Sequence, residues 1–596
     1  MKFTPLQPLE IYVSHSESHR VSLKKYSSGI NSTPHVFFKK DENGNVPWVV
    51  TRVCDHAKGQ LRLCHDDPTK AICPMHNWEF DFKTLSYSKI PNQKFEHIVK
   101  KPIPFSIKDD LLTYQINQLN LRVPQELSAK NTRKTSVKLR FITHASVSLT
   151  MDDINFVTDP WFFGECLASG WWLKYPPKQD ALDLLECANF LYISHNHPDH
   201  MHAETLKHVA RDKSIIVPKF KTNSVANPLR HMGFSNIIEL ELLRLYRVGD
   251  SDMLISILPT GDHRDDSALF VVKGDASAVF TVDCIGANHY ILPRDITFLL
   301  TNFASGASGW PLCFEVLGPL SERDKIVAKN RGNALIEVMK YIDVTRPRIY
   351  LPYAGYFDEK APRDSMIQQH NIKNTPQQVL EKIKARFPDV TAVNPIENDC
   401  VEYQDAEIRL STVDKPPLYI TDEDYIDKYV GAQKELLKKF DIHKVADYFC
   451  QSEFRDKLIL YLALTDDDYI PLDDGLKIDF FTNPVAYEVS ASKTLVDQFN
   501  EIGDLAGMHH LLIKARKDSL WHIVYYGLPL EELSLGFQCR IDRKPDQHNA
   551  DFWKHYTTYE VPSLKHGEER LFYKLLEGYD ESGSGKNNAE DIYKKS

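Results

Sequence analysis

The sequence predicts a multidomain chain with a small all-β domain at the N-terminus, a central α/β domain and a mixed α/β region at the C-terminus. Three changes of texture predict it. Residues 1 to about 125 are short apolar runs separated by turns; from Leu139 apolar strands alternate with amphipathic helices; beyond residue 400 charged helical stretches mix with a hairpin pattern. At 596 residues, 42% hydrophobic and 26% charged, the chain is long enough for roughly three or four cores.

In the first part, Trp48-Val49-Val50-Thr51 and Leu111-Leu112-Thr113-Tyr114-Gln115-Ile116 read as strands. The polar stretch 129–134 reads as a linker. Strands are then expected at 139–144, 154–160, 191–195, 278–283 and 348–352, with helices at 203–211 and 333–342. A charged helix at 425–441 and a hairpin near 476–488 follow, and 581–596 is compositionally a disordered tail. The expected domains are 1–125, 137–400 and 401–580, the last without metal-ligand spacing and with its role open.

A net charge of −10 argues against broad nucleic-acid binding. Met1-Lys2-Phe3-Thr4-Pro5 lacks a charged region followed by an apolar run, and no stretch of about 18 apolar residues occurs, so neither a leader nor a membrane span is expected. Ten scattered cysteines suit a reducing, cytoplasmic compartment.

Within the first domain stand two mixed doublets, Cys54-Asp55-His56 and Cys73-Pro74-Met75-His76. Two thiolates for one iron and two imidazoles for the other make the ligand set of a Rieske [2Fe-2S] cluster. A structural zinc site can use the same residue types, but zinc fingers usually keep both cysteines in one knuckle and both histidines in the other. The following His76-Asn77-Trp78-Glu79-Phe80-Asp81 also resembles the H-x-W-x-F-D segment of Rieske oxygenase components. Cys64 lies between the knuckles, yet no cysteine follows His76 closely enough to pair with it, so a lower-potential, oxygenase-type cluster is expected. An electron relay implies a second site to receive the electrons.

That site is expected at His195-Asn196-His197-Pro198-Asp199-His200, directly after an apolar strand. H-x-H-x-D-H at a strand end resembles the first motif of the metallo-β-lactamase αββα fold. At such a turn His195 and His197 can face one metal and Asp199 and His200 an adjacent position, with His263 a third imidazole and Asp283 a carboxylate able to bridge. A rival reading uses Asn196, Asp199, His202 and His208 as the mononuclear-iron motif of ring-hydroxylating oxygenases. Against it, His202 and His208 fall on the following helix, where lone histidines are usually at the surface. A hydrolytic fold joined to an electron relay points to oxygenation, because a non-haem iron with open positions, supplied one electron at a time, activates dioxygen.

With these motifs in place, residues 35–565 resemble the CMP-N-acetylneuraminic acid hydroxylase family. Further segments carry the likeness: Asp159-Pro160-Trp161, Gly170-Trp171-Trp172-Leu173, 303–309, 347–357 and Gly536-Phe537-Gln538-Cys539-Arg540. The resemblance implies oxygen-dependent conversion of the N-acetyl group of CMP-sialic acid, or a similar anionic small molecule, to N-glycolyl. It also implies a small electron-carrier protein of cytochrome b5 or ferredoxin type as partner. The implied cofactors are the Rieske cluster on Cys54, His56, Cys73 and His76 and a mononuclear non-haem iron, with a second metal as an option.

One departure stands out. Members of the fold with two metals carry a last histidine after the final core strand, whereas here only His370 follows Tyr356-Phe357, thirteen residues on. A weak or empty second position is the expectation. The loop 305–309 and Arg346 and Arg348 are candidate anion contacts, against a plain loop and salt bridges. His144 reads more readily as a core histidine than as part of the site, and Trp171 and Trp172 as core. Two other functions stay open: a metal-dependent phosphodiester or lactone hydrolase with a structural cluster, and a Rieske oxygenase of another anionic metabolite.

Overall fold

The structure, a computed structural model, describes residues 1–33, 35–52, 61–64, 67–72, 79–89, 99–128, 133–262, 264–503 and 507–558. The four doublet residues Cys54, His56, Cys73 and His76, together with His263 and the expected tail 581–596, lie outside the described residues.

Two eight-stranded sheets face each other across the largest apolar core. The first runs, edge to edge, from Phe3–Pro8 through Arg244–Val248, Leu254–Pro259, Ser267–Lys273, Ala276–Phe280, Phe298–Thr301 and Ile349–Pro352 to Thr391–Ala392. The second runs from Ile237–Leu240 through Ile215–Pro218, Phe190–Tyr192, Ile154–Thr158, Ser146–Met151, Val137–Thr143 and Cys400–Gln404 to Glu407–Ser411. Interior strands such as Phe298–Thr301 and Ile215–Pro218 are buried along their whole length, as parallel strands covered on both faces must be. The edge strand Glu407–Ser411 is mostly exposed and carries charge instead. The helices Leu320–Thr345 and Pro376–Arg386 contribute buried side chains to the first sheet's core, and Ala181–Cys187 and Ala226–His231 to a cluster on the second. Layers of helix, sheet, sheet and helix result, the αββα arrangement expected from the sequence.

Two domain edges differ from expectation. Phe3–Pro8 pairs antiparallel with Arg244–Val248, so the chain begins in the central domain rather than in the unit expected at 1–125. The central domain also runs past 400, because Cys400–Gln404 and Glu407–Ser411 form an antiparallel pair at its edge. The helix expected at 203–211 is only Ala203–Leu206, since the Arg211 guanidinium takes the Leu206 carbonyl (2.9 Å) and the chain turns there.

Between Glu10–Ser22 and Leu111–Arg122, which pair antiparallel from Glu10↔Arg122 to Ser22↔Leu111, the chain builds its first domain. Arg52 and Leu61, which flank the first doublet, are joined by the Leu61 N–H to Arg52 carbonyl bond (2.7 Å), and Ile72 and Glu79, which flank the second, are register partners. The pairing Arg62↔Ile72 sets these two flanks side by side over a core of Phe37, Val50, Leu61, Ala71, Phe80, Phe82 and Tyr87.

The C-terminal region is a five-stranded sheet, Ala486–Ser490, Pro471–Asp479, Leu458–Thr465, His509–Arg516 and Cys539–Lys544. The expected hairpin is its Pro471–Asp479/Ala486–Ser490 pair, and the expected charged helix is Glu423–Glu435. One of its faces shares a core with Trp161, Trp171 and Trp172 of the central domain. No helix among the described residues is long and apolar enough to cross a membrane.

Candidate metal centre

The residues with ligand chemistry follow strand ends on one side of the two sheets. His144 follows Val137–Thr143, Asp159 follows Ile154–Thr158, His195 follows Phe190–Tyr192, Asp283 follows Ala276–Phe280 and Asn302 follows Phe298–Thr301. Side chains that converge this way come from a rigid frame rather than from a loop of their own.

Asp159 organises the H-x-H-x-D-H turn. Its carboxylate accepts from the Ser194 N–H (2.8 Å) and the Ser194 hydroxyl (2.9 Å), and lies 3.2 Å from His200 Nδ1. The N–H groups of His200 and Met201 return to the His197 carbonyl (3.0 and 2.8 Å), which winds the segment tightly enough to bring all its ligand-type side chains to one hollow. His195 Nε2 and His197 Nδ1 stand 2.9 Å apart. His200 Nε2 stands 3.2 Å from Asp199 Oδ2 and 3.5 Å from Asp283 Oδ2, and Asn302 donates to the other Asp283 oxygen (2.8 Å). Each imidazole turns its second nitrogen outward to an oxygen. For His195 these are Ser194 Oγ (2.9 Å) and Asp266 (3.6 Å), for His200 Asp159, and for His197 Glu531 (3.6 Å). Oxygens placed this way fix ring orientation and tautomer.

The electrostatics favour a cation. Burial and the neighbouring imidazoles push His195 well below its usual range, toward the neutral ring that ligates metals. Burial acts the same way on His200, but the charge of Asp199, the hydrogen bond to Asp159 and the nearby carboxylates of Asp199 and Asp283 outweigh it and raise His200 well above its usual range. Burial works to raise Asp199 and Asp283, and His200 holds both low. Asp266 is pushed up to about 7 by burial. Positive charge is therefore wanted at the His200 ring, between two carboxylates.

Two sets of donor atoms lie within 4.8 Å of one another, His195/His200/Asp283 and His144/Asp199/His200. His200 Nε2 has no hydrogen-bond partner, an exception among buried polar atoms that a metal would explain. Imidazole and carboxylate donors without a thiolate suit iron, zinc or manganese, so the residues present fit a non-haem metal.

Five of the six predicted site residues, His195, His197, Asp199, His200 and Asp283, thus line one hollow. His263 is outside the described residues, between Asp262 and Arg264, whose guanidinium bonds the Asp262 carboxylate (2.9 Å) and the Asp283 carbonyl (3.1 Å). The rival motif does not assemble. His202 is the buried N-cap of Ala203–Leu206, its nitrogens on Thr205 Oγ1 (3.1 Å) and the Glu165 carbonyl (3.0 Å), and His208 packs on Phe163 outside the hollow. His144 departs from the core role expected of it, because its ring faces Asp199 at 3.3 Å. Sequence reading also missed Asp159, Asp266 and Glu531; only Asp159 had a signal, its place directly after an apolar strand. Arg346 pairs with Asp343 (2.8 Å) at the end of its helix, and the 305–309 loop packs Gly306 against Phe357, so neither forms part of the hollow. Trp171 and Trp172 are buried core residues, as expected.

Comparison with known proteins adds the following. A family described as "Rieske [2Fe-2S] domain" matches residues 13–102, and one described as "Beta-lactamase superfamily domain" matches 138–264. The chain therefore joins a Rieske domain to a β-lactamase superfamily domain. It is 25% identical to the cytidine monophosphate-N-acetylneuraminic acid hydroxylase of Danio rerio, over 95% of this chain and 98% of that one. The protein of the same name from Cricetulus griseus is 26% identical, over 92% of this chain and 98% of its own. Among solved structures, CmlA, a diiron beta-hydroxylase from Streptomyces venezuelae, superposes with a TM-score of 0.31 at 18% identity, over 48% of this chain and 55% of that one. A superposition of that size has no bearing on the chemistry.

Proposed function

We propose that this chain, which joins a Rieske [2Fe-2S] domain to a β-lactamase superfamily domain, is an oxygen-dependent hydroxylase that converts the N-acetyl group of CMP-N-acetylneuraminate to N-glycolyl. The observation that carries the reading is the pairing, in one chain, of a Rieske ligand pattern with a buried imidazole–carboxylate hollow. Similarity to hydroxylases of that name over nearly the full length supports the substrate.

In this reading Cys54, His56, Cys73 and His76 hold the cluster, and His195, His197, Asp199, His200, His263 and Asp283 hold the non-haem metal. The chemistry these groups supply when bound is one-electron delivery and dioxygen activation at an iron with open positions. The reaction takes up dioxygen, two electrons and two protons; one oxygen enters a methyl C–H bond and the other leaves as water. The electrons come from a small carrier protein, and the chain works in the cytoplasm.

The protein's own part is positioning. Asp159 turns His200 so that Nε2 faces inward, Ser194 and Asp266 do the same for His195, and Asn302 holds one Asp283 oxygen so that the other is available. His144, His195, Asp199 and His200 are buried, which strengthens the charge interactions among them, while His197 and Asp283 keep a partly exposed side.

Incubation with CMP-N-acetylneuraminate, a reductant and isotope-labelled dioxygen tests the reading. The expected product is the N-glycolyl nucleotide sugar carrying one labelled oxygen. Hydrolysis products, with activity surviving loss of the cluster and zinc in the hollow, would favour the hydrolase reading instead.

A further inference from the structure

The geometry points to a second metal position in the hollow, held by His144, Asp199 and His200, with His144 taking the place of the histidine missing after the last core strand. The inference rests on the metal centre of the proposed oxygenase and deepens it.

His370 cannot serve that position, because it lies on an outer helix and bonds Asp324 (2.9 Å). The strand Ile349–Pro352 instead runs on to Tyr353 and Ala354, and the Ala354 N–H donates to the His144 carbonyl (2.8 Å). The turn that carries His144 is thereby fastened to the end of the strand where a last histidine would stand, and its ring enters the hollow from that side. The residue itself sits at φ 42°, a left-handed conformation that needs its surroundings to hold it.

The ring is 2% exposed, and neither of its nitrogens makes a hydrogen bond. Trp161 and Phe357 pack edge-on to it at 5.3 and 5.9 Å. Asp199 Oδ2 lies 3.3 Å from His144 Nε2 and 3.2 Å from His200 Nε2, yet neither nitrogen is in hydrogen-bonding geometry. Atoms at that separation which do not point at each other can point at a common third. Two ligands each about 2.1 Å from one ion, at octahedral to tetrahedral angles, stand about 3.0–3.4 Å apart.

His200 Nε2 belongs to both donor sets, but one lone pair serves one ion. Assigned to the second position, it leaves His195 Nε2, His197 Nδ1 and Asp283 for the first. Asp283 Oδ2, at 3.5 Å from His200 Nε2, is the carboxylate placed to be shared. The centre thus takes two divalent first-row ions rather than one.

The test is metal stoichiometry in the full-length protein, normalised to the Rieske cluster's electron paramagnetic resonance signal, which also reports that the chain is folded. Wild type is expected to bind two ions besides the cluster. His144→Ala is expected to keep one and to lose affinity for the other by more than the roughly 10–100-fold that loss of an outer partner costs. His144→Cys supplies an independent readout: cobalt(II) at the second position gives a thiolate charge-transfer band only if residue 144 is a ligand. Saturation of wild type at one ion, full retention of both ions by His144→Ala, or two cobalt ions bound to His144→Cys without the band each overturns the proposal. A single-ion enzyme that still hydroxylates defeats the second position and leaves the oxygenase reading intact. Two ions without oxygen-dependent turnover defeat that reading and leave the position intact.

Discussion

Glu531 approaches His197 from the C-terminal region, 3.6 Å from the ring nitrogen that does not face His195. Its carboxylate is held low because the facing His197 ring and its charge outweigh its burial. Glu531→Gln is expected to weaken metal binding by roughly 10–100-fold with the ligand set unchanged, read by cobalt(II) titration. Glu165 makes a different prediction. Burial pushes it up to about 7, against an ordinary value of 4.5. The folded chain then holds a proton that the unfolded chain has released, so stability falls as pH rises from about 4.5 to 7. Glu165→Gln keeps an acceptor for the Ser169 N–H and should leave stability unchanged at pH 4 while raising it at pH 8 by up to about 3 kcal/mol, seen as a higher melting temperature there. The contrast between these residues marks what a sequence can tell. His195, His197, Asp199 and His200 are legible because four ligands share one turn. Glu531 is not, because only the fold brings it near, and His144 and Asp159 offer no more than a place directly after an apolar strand.

At the scale of elements, the segments around Gly170 and Gly536 meet backbone to backbone. A Cβ on Gly170 would run into the Gly536 carbonyl and stand 2.6 Å from its Cα. Each glycine lies in a stretch whose likeness to the hydroxylase family is plain in the sequence, and the contact gives that likeness a physical cause. Gly170→Ala is expected to cost about 1–3 kcal/mol or more, seen as a lower denaturation midpoint, by forcing the loop and the C-terminal helix Glu531–Leu535 apart. Most central strands were legible as unbroken apolar runs. Phe3–Pro8 was not, because Pro5 and Pro8 mask it; an edge strand tolerates them where an interior strand would not. The Glu407–Ser411 edge was hidden by its charge for the same reason.

For the whole molecule, the first strand is the informative one. Phe3 packs edge-on to Phe190 at 5.3 Å, and Leu9 is buried in the central core. Removing residues 2–8 should therefore lower the thermal stability of the central domain, by roughly 3 kcal/mol, while the Rieske cluster's resonance signal persists. The C-terminal region is tied in more tightly. Its apolar face completes a core with Trp161 and Trp172, and buried Arg516, steadied by Gln538 of its own region (2.9 Å), bonds Asp364 across the junction. A region that looked chemically silent in sequence is a wall of the metal hollow.

The paired strands Glu10–Ser22 and Leu111–Arg122 have a consequence for how such an enzyme could change. Glu10 and Arg122 are register partners joined by an ion pair of 2.8 Å, so the first and last residues of the cluster-bearing unit are neighbours. A unit whose ends touch is a cassette: it can be lifted out and replaced by another redox module without moving anything downstream. The foot of that cassette bonds the Leu292 carbonyl through the Leu121 N–H (3.0 Å), on the loop that begins at Asp283. Exchange of the module would thus alter the source of the electrons while the socket that receives them stays as it is.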